Sequence, residues 1–583
     1  MVTRVRNKNL TVYRDISECY HLFENQFRLA LDLETSGLSP YRDHIAVVII
    51  GDQRGNVLVQ HVWADGWPSA LSRLLAKREI EWVTHNGFGF DWLFLYNEGF
   101  DLPVFHYDTL IAEQVLLYQD RHNVRKDLAS TMKRRIGRNL KKEMDHSGWT
   151  RPRLNQEQVD YCAHDGAYLL DVADSQLKFA AERGMQDALE FEQRVSIATT
   201  RVMANGLSCP VANLEKRRIE IFNDAVDATR RVSEEFPGLN VNSPKQVVAR
   251  VNSYFDLDIP NAKKETLLEY AEGYPLLNDI LTSKAALKRT GMYDDDFVSR
   301  YIIDDILHGH FWPMGAGTTR FTSNDPNLQQ IPRNMRNIIG NQPGMVVVSA
   351  DFAQIEVRFM AYYARDRMLI QACADDIHTE MARAMFSIPP EEIVEKHDER
   401  RSPLGKYGTF SWQFGGSYRA VVRSAAKGGT KLPEATAKRM IINLNKRFRA
   451  THATHQRARQ LVKNGALTVM LPYGHRRAFL PGQATHTKWL NTTIQGTAAV
   501  GFKQSLLEMD RRGLIYHIGG LVHDEFVATG IPEAAGQEFA AEMEDSMKLG
   551  MQMVMDDIAQ RNPKTTFIPV PIEVETQIGP TWE

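Results

Sequence analysis

Stretches of continuous apolar residues alternate with helical repeats along the first third of the chain. FRLALDLE (27–34), HIAVVIIGD (44–52) and NVLVQHVW (56–63) predict strands, and helices are predicted over Ser69–Leu75 and residues 107–118. Strands followed by mixed helices predict an α/β domain built on an open sheet. The pattern changes at Met185. Phe191, Val195, Ala198 and Val202 form one stripe of a long amphipathic helix, and Gly206 supplies its stop, so a domain boundary is placed near residue 185. Helical patterns dominate from Val211 to Leu307, and irregular Gly- and Asn-rich sequence continues to Pro332. A β-branched strand, a helical block to Gly465 and further strands complete the chain, with no internal repeat or low-complexity segment.

The β-branched strand carries the first chemistry. In VVVSADFAQIEVR (346–358), Met345, Val346, Val347 and Val348 leave no polar face, which predicts a buried strand with Asp351 at its exit. A carboxylate there is costly unless it is paired or holds a metal. Gln354, Glu356 and Arg358 follow on a predicted helix start. Further on, GLIYHIGGLVHDEFVATG (513–530) predicts two short apolar strands with His523, Asp524 and Glu525 at the turn between them. A polar turn would explain these residues if they stood alone. With Asp351 they make an acid pair able to bind two Mg²⁺ and carry phosphoryl transfer.

Between the two acids lies RRSPLGKYGTFSWQFGG (400–416). Ser402 is the expected N-cap and Pro403 the first helical residue. Lys406, Phe410 and Phe414 then recur every fourth residue, drifting only ~40° per step, and share a face. An aromatic core stripe with a snorkelling lysine is the ordinary reading of such a helix. Beside the acid pair, the same face suits a triphosphate and a stacked base.

The N-terminal region holds a second set of acids. Asp32 and Glu34 in LALDLETSG point to one face of a strand, Asp91 follows HNGFGF, and Asp165 ends YCAHD with Tyr161 one helical turn earlier. Singly, each acid is an ordinary cap or surface residue. Converging, the four need cations, and two Mg²⁺ ions roughly 3.5–4 Å apart would neutralise them while activating water for phosphodiester cleavage.

Composition sets wider bounds. The 583 residues suit three to five units at ~100–200 residues each, and 43% hydrophobic with 24% charged residues is ordinary for a globular chain. No stretch approaches the ~18 apolar residues of a membrane span, and no secretory core opens the sequence, so a cytoplasmic location is expected. Cys19, Cys162, Cys209 and Cys373 are scattered without metal spacing, which fits free thiols in a reducing compartment. The net charge of −2 leaves the partner open, but two basic tracts favour a polyanion. One holds Arg125, Lys126, Lys133, Arg134, Arg135, Arg138, Lys141 and Lys142; the other runs from Lys438 and Arg439 to Arg476 and Arg477.

The N-terminal acids resemble those of the DEDD exonuclease superfamily in its tyrosine-containing branch. That resemblance implies an RNase H-like domain with Asp32, Glu34, Asp91 and Asp165 as metal ligands and Tyr161 orienting the attacking water. The gap from Asn86 to Asp91 is one residue longer than in many members and is similar to phage variants. Over nearly its whole length the chain resembles family A (DNA polymerase I-like) DNA polymerases without a 5′-nuclease domain. The resemblance implies an exonuclease domain over 1–185 and a right-hand polymerase over 186–583. Its thumb is expected over 186–310, its palm over 311–365 and 466–583, and its fingers over 366–465.

It further implies Asp351 and Asp524 as catalytic metal ligands, with Glu525 beside them and His523 near the primer end. Glu356 is implied as the gate against a ribose 2′-hydroxyl and Gln354 as a minor-groove contact. Lys406 is implied as triphosphate binder and general acid. TTRFTSNDPNLQQIP and NTTIQGTAA resemble the family's primer-template segments, which implies DNA contacts at Arg320, Asn327, Gln329, Gln330, Asn491 and Gln495. NVNSPKQV resembles the start of the thumb. The implied cofactor is Mg²⁺, two per site, with Mn²⁺ able to substitute; the implied partners are primer-template DNA and dNTPs.

Departures from the family pattern carry expectations of their own. The family arginine position is Ser402, so Arg401 must reach the triphosphate from a loop. Phe414 replaces the tyrosine that steadies the gate, which predicts a looser Glu356 and weaker exclusion of ribonucleotides. Phe410 in place of tyrosine predicts poor use of dideoxynucleotides. Residues 246–318 leave no room for a thioredoxin-binding insert, and a monomer is expected. Short length without a 5′-nuclease suggests a phage replicase. A non-catalytic DNA-binding accessory and a nuclease whose polymerase half only grips DNA are the rival readings.

Overall fold

The computed structural model describes residues 3–6, 9–118, 124–139, 148–340 and 342–583. Lys141 and Lys142 of the first basic tract lie outside the described residues. Strands β1 (Thr3–Arg6), β2 (Asn9–Tyr13), β3 (Arg28–Thr35), β4 (Ile45–Gly51), β5 (Asn56–Gln60), β6 (Glu81–Thr84) and β7 (Phe105–Asp108) form one mixed sheet. Its order is β1-β2-β5-β4-β3-β6-β7, with β3 antiparallel to β4 and parallel to β6. Every residue of β4 is buried, so its continuous apolar run reflects cover on both faces. The third expected strand stops at Gln60, and Val62–Asp65 turns into a helix. The helix expected over 107–118 begins at Thr109, because Asp108 ends β7 and caps the helix by accepting from the Leu110 and Ile111 N–H groups. Strands β6 and β7 are four residues each, too short to display a period.

Helix α1 (Asp91–Asn97) follows β6, and α2 (Gln156–Arg183), opened by an Asn155–Gln158 capping box, packs across the sheet. Helix α3 (Gln186–Asn205) ends as expected at Gly206, whose φ of 62° only glycine adopts freely. Ala188 and Leu189 join the core around Tyr107 and Leu169, while Phe191, Val195, Ala198 and Val202 join the core that holds Leu521 and Phe526. Helix α3 therefore belongs to the body of the molecule, between its two sheets, rather than opening a separate thumb. The helical hairpin is built instead by α4 (Val211–Glu235) against α5 (Leu276–Met292).

The second sheet comprises β8 (Met345–Phe352), β9 (Ile518–Val522), β10 (Glu525–Pro532) and β11 (Val574–Gly579), all antiparallel in the order β9-β10-β8-β11. Residues 347–350 of β8 are buried, but Met345 is 38% exposed, because the strand enters from the surface and is covered only in its middle. The same part of the chain carries helices α6 (Ile355–Ala364), α7 (Ile377–Phe386), α8 (Leu404–Gln413), α9 (His486–Arg511) and α10 (Gly536–Arg561). Helix α10 packs on β8 and β11 and against α9. Among the described residues no helix is long and apolar enough to cross a membrane, and all four cysteines are buried free thiols.

A buried ion cluster joins α3 to α9. Glu192 Oε1 accepts from Lys503 Nζ at 2.6 Å and lies 2.8 Å from His475 Nε2, with all three side chains essentially inaccessible. Burial works to raise the Glu192 carboxyl, but Lys503 and His475 outweigh it and hold the group below its ordinary 4.5. Glu192→Gln would take the carboxylate charge away from buried Lys503 and His475, at a cost of about 3–5 kcal/mol. A carboxyl held low in the folded state stabilises above its ordinary pKa and loses that contribution as pH falls below it. Thermal denaturation should therefore show a large wild-type advantage at pH 7 that shrinks below pH 4.5; a constant gap would refute the assignment.

Candidate functional site: two groups of acids

The first group forms where β8, an inner strand of the second sheet, ends. Asp351 pairs in register with Glu525 on β10 and with Glu575 on β11, which sets three carboxylates in a row across the sheet. Like charges directly opposite one another are destabilising. Asp351 reaches the surface, yet the protein crowding its other sides, together with Asp524, Glu525 and Glu575, pushes its carboxyl up to about 7. The turn between β9 and β10 consists of His523 and Asp524 alone, and His523 holds a φ of 59°, a strained left-handed conformation. Glu525 is not in the turn, as expected, but opens β10. It is buried, accepting from Trp582 Nε1 at 2.8 Å and Arg336 NH1 at 3.2 Å, while the Arg336 guanidinium lies 4.0 Å from the Trp582 ring centroid.

Glu356 stands in the first turn of α6, just after Gln354, whose φ is 49° and whose Oε1 is buried without a partner. Three donors hold Glu356: Arg320 NH2 at 2.7 Å and Gln495 Nε2 at 2.9 Å on Oε1, and Gln413 Nε2 at 2.9 Å on Oε2. The expected looseness of Glu356 is thus corrected. Phe414 lacks a hydroxyl, but its neighbour Gln413 supplies an amide. Burial raises the Glu356 carboxyl above its ordinary value, against the pull of Arg320.

Arg320 and Gln495, both expected on DNA, bond to this acid, and Arg320 also lies 3.5 Å from Asp524 Oδ1. Gln329 donates to Phe321 and Leu521 carbonyls and Asn327 caps the short helix Leu328–Gln330, so both serve the protein's own backbone. Gln330 is exposed and Asn491 half-buried, one turn before Gln495 on α9.

Helix α8 begins at Leu404 without a side-chain cap. Ser402 is not its N-cap: the cap position falls on Pro403, and residues 398–402 close into a turn in which the Arg401 and Ser402 N–H groups donate to Asp398 O. Lys406 and Phe410 are exposed on α8, while Phe414 lies just past its end, buried, with its ring edge-on to Phe410 at 5.9 Å. Arg401 donates to Asp376 Oδ2 at 2.8 Å and to Thr379 at 3.2 Å, so it is held at the start of α7 rather than free for a triphosphate. Beside it lies His378, which sequence reasoning missed. Burial, then Lys406 and Arg401, lower its pKa. Its Nδ1 is buried without a partner. Its signal in the sequence was slight, a histidine two residues past a helix-capping aspartate, and nothing in that spacing points to Lys406.

The basic tracts divide. Helices Glu434–Arg447 and Arg449–Lys463 keep Lys438, Arg439, Lys446, Arg447, Arg457 and Arg459 exposed. In the first tract Arg134 and Arg135 bind buried Glu113, and Arg138 lies over Tyr168, so these arginines brace the N-terminal domain.

The second acid group forms on the first sheet. Asp32 and Glu34 extend from one face of β3, Asp91 opens α1, and Tyr161 and Asp165 stand one turn apart on α2 with the tyrosine hydroxyl bonded to the carboxylate. A 3₁₀ turn over Gly87–Gly89 precedes Asp91. Burial first, then Asp91, Asp165 and Glu34, raise Asp32 well above its ordinary value. Burial, then Asp165 and Asp91, push Glu34 up to about 8. Burial likewise brings Asp91 and Asp165 to about 7, and Asp91 Oδ1 is buried without a partner.

All four expected acids, and the tyrosine, are therefore brought within electrostatic reach of one another. Among the described residues no three such groups stand at the spacing that would hold an ion as they are placed. The donor chemistry still fits hard divalent cations in both groups: carboxylate oxygens only, mutually repelling, with an orphaned oxygen at Asp91.

Comparison with known proteins agrees with both halves. The pattern of a 3'-5' exonuclease matches residues 11–178. The chain is 27% identical to DNA polymerase I of Aquifex aeolicus, across 96% of each chain. It is 26% identical to the thermostable DNA polymerase I of Thermus thermophilus, across 67% of this chain and 48% of that one. The chain thus spans nearly all of one relative and about half of the other. Its fold matches the POL domain of Pol1 from M. smegmatis, solved in complex with DNA primer-template and dNTP, with a TM-score of 0.77, 21% identity and 97% coverage of both. The DNA polymerase family A pattern matches residues 211–583, well over half the chain. This chain belongs to DNA polymerase family A: it is a DNA-directed DNA polymerase carrying a 3'-5' exonuclease domain.

Proposed function

We propose that the chain extends primed DNA at the cleft between β8, the His523–Asp524 turn and α8, and removes mismatched 3′ ends at the acids of the first sheet. The observation that carries this reading is the pair of separate acid groups, each raised in pKa and each placed by its own sheet. We assign residues 1–185 to the exonuclease domain, the α4–α5 hairpin to the thumb, residues 366–465 to the fingers, and 311–365 with 466–583 to the palm. Helix α3 serves as the joint.

Asp351 and Asp524 would hold divalent cations, most simply Mg²⁺, at the polymerase site, as would Asp32, Glu34, Asp91 and Asp165 at the other. Such ions, when bound, promote deprotonation of the attacking oxygen and neutralise charge on the leaving group. Glu525, fixed by Trp582 and Arg336, positions the turn that carries Asp524. Lys406 meets the triphosphate and protonates the departing pyrophosphate, and Phe410 stacks beside the incoming base. Glu356 lies against the sugar, where a 2′-hydroxyl would collide. At the exonuclease site the Tyr161 hydroxyl, held by Asp165, orients the attacking water. The substrates of this reading are primer-template DNA and dNTPs, the protein acting as a monomer without thioredoxin, in the cytoplasm.

The finer reading, a phage genome replicase, draws support from the HNGFGFD spacing. Against it stands the bacterial relative from Aquifex aeolicus, matched across 96% of its length. The genes flanking this one would decide between a phage and a bacterial source.

Asp524→Ala should lower primer extension with dNTPs and Mg²⁺ by more than ~100-fold while leaving degradation of single-stranded DNA intact. Asp165→Ala should do the reverse. A DNA-binding accessory would show neither activity in the wild type, and a nuclease with a passive polymerase half would degrade but never extend. Phe410→Tyr should increase chain termination by dideoxynucleotides on sequencing gels; an unchanged ladder would remove Phe410 from the incoming nucleotide.

A further inference from the structure

We propose that Gln413 is the positioning residue for sugar discrimination in this enzyme, holding Glu356 in the orientation that excludes ribonucleotides. The inference rests on the reading of Glu356 as the group that lies against the sugar, and it adds a residue to which no role has been assigned. Glu356 has two carboxylate oxygens in different surroundings. Oε1 faces Arg320 and Gln495, while Oε2 receives the Gln413 amide at 2.9 Å. Arg320 is also drawn towards Asp524, 3.5 Å away. Without Gln413, the Glu356 carboxylate would be held through Oε1 alone and would rotate more easily about its last torsion.

Gln413 is built to resist that rotation. Its side chain is 3% exposed, and it is the last residue of α8, the helix that carries Lys406 and Phe410. Its carbonyl oxygen lies 3.2 Å from His455 Nε2, and the preceding Trp412 packs edge-on to His455 and donates to Asn445 at 2.9 Å. The amide is thus aimed by a backbone fixed on both sides. It links the sugar-facing acid of α6 to the helix that meets the triphosphate. Phe414, one residue on, has a ring but no hydrogen-bonding group to do this.

The test compares kcat/KM for each dNTP with that for the matching rNTP. Gln413→Met keeps volume but removes the donor, and it should lower the dNTP/rNTP ratio by about tenfold, the scale of one hydrogen bond to a charged group. Gln413→Ala serves as a second variant, and the single-strand exonuclease rate with the melting temperature reports that each is folded. Adding Phe414→Tyr to Gln413→Met should recover discrimination, which a merely structural defect would not. Glu356→Ala should relax discrimination by itself, and Gln413→Met should add nothing to it. If Glu356→Ala relaxes the ratio while both folded Gln413 variants keep the wild-type value, the role given to Gln413 is wrong. If Glu356→Ala leaves the ratio unchanged, the sugar-facing reading beneath it falls.

Discussion

Carboxylates crowded together repel, and the scaffold of this protein is organised around holding them in place regardless. In the second sheet three of them lie in register across adjacent strands, and a fourth sits in a two-residue turn whose histidine is itself strained. Such an arrangement persists only where the surroundings over-determine it. Here the sheet supplies the rigidity. Strand β8 is flanked on both sides, α10 covers it, and Glu525 is locked by an indole and a guanidinium. The N-terminal group uses a different device with the same outcome. Its acids come from a strand, a helix start and the middle of a long helix, so no local relaxation can separate them.

Much of this was legible in the residue pattern, and the reasons differ from site to site. Asp32 with Glu34 and Tyr161 with Asp165 could be read because strand and helix periods convert spacing directly into a shared face. Asp351 could be read because an acid after an apolar run has no packing purpose. The long helix ending at Gly206 showed its whole apolar stripe, yet its role as the joint between two cores was invisible, since periodicity says that a face is buried and not against what.

Polar partners were the least legible part. Arg320, Gln495, Gln329 and Arg401 were all expected to reach outwards, and each is engaged by a protein group instead. Partners on separate elements, from 25 to 192 residues apart, leave no trace in local spacing, which is also why Gln413 and His378 went unread. Ser402 shows the converse hazard. It has the composition of a cap, but it lies in an upstream turn and the helix starts only after Pro403.

The two acid groups also differ in how far along the chain their parts are spread. The acids of the first sheet and their tyrosine lie between residues 32 and 165, whereas Asp351 needs a hairpin at 518–532 and a strand at 574–579 before its surroundings exist. Contacts between distant residues form late, and domains fold in order of synthesis. A growing chain on the ribosome would assemble its editing machinery first. The capacity to trim DNA would precede the capacity to lengthen it within the life of every single molecule.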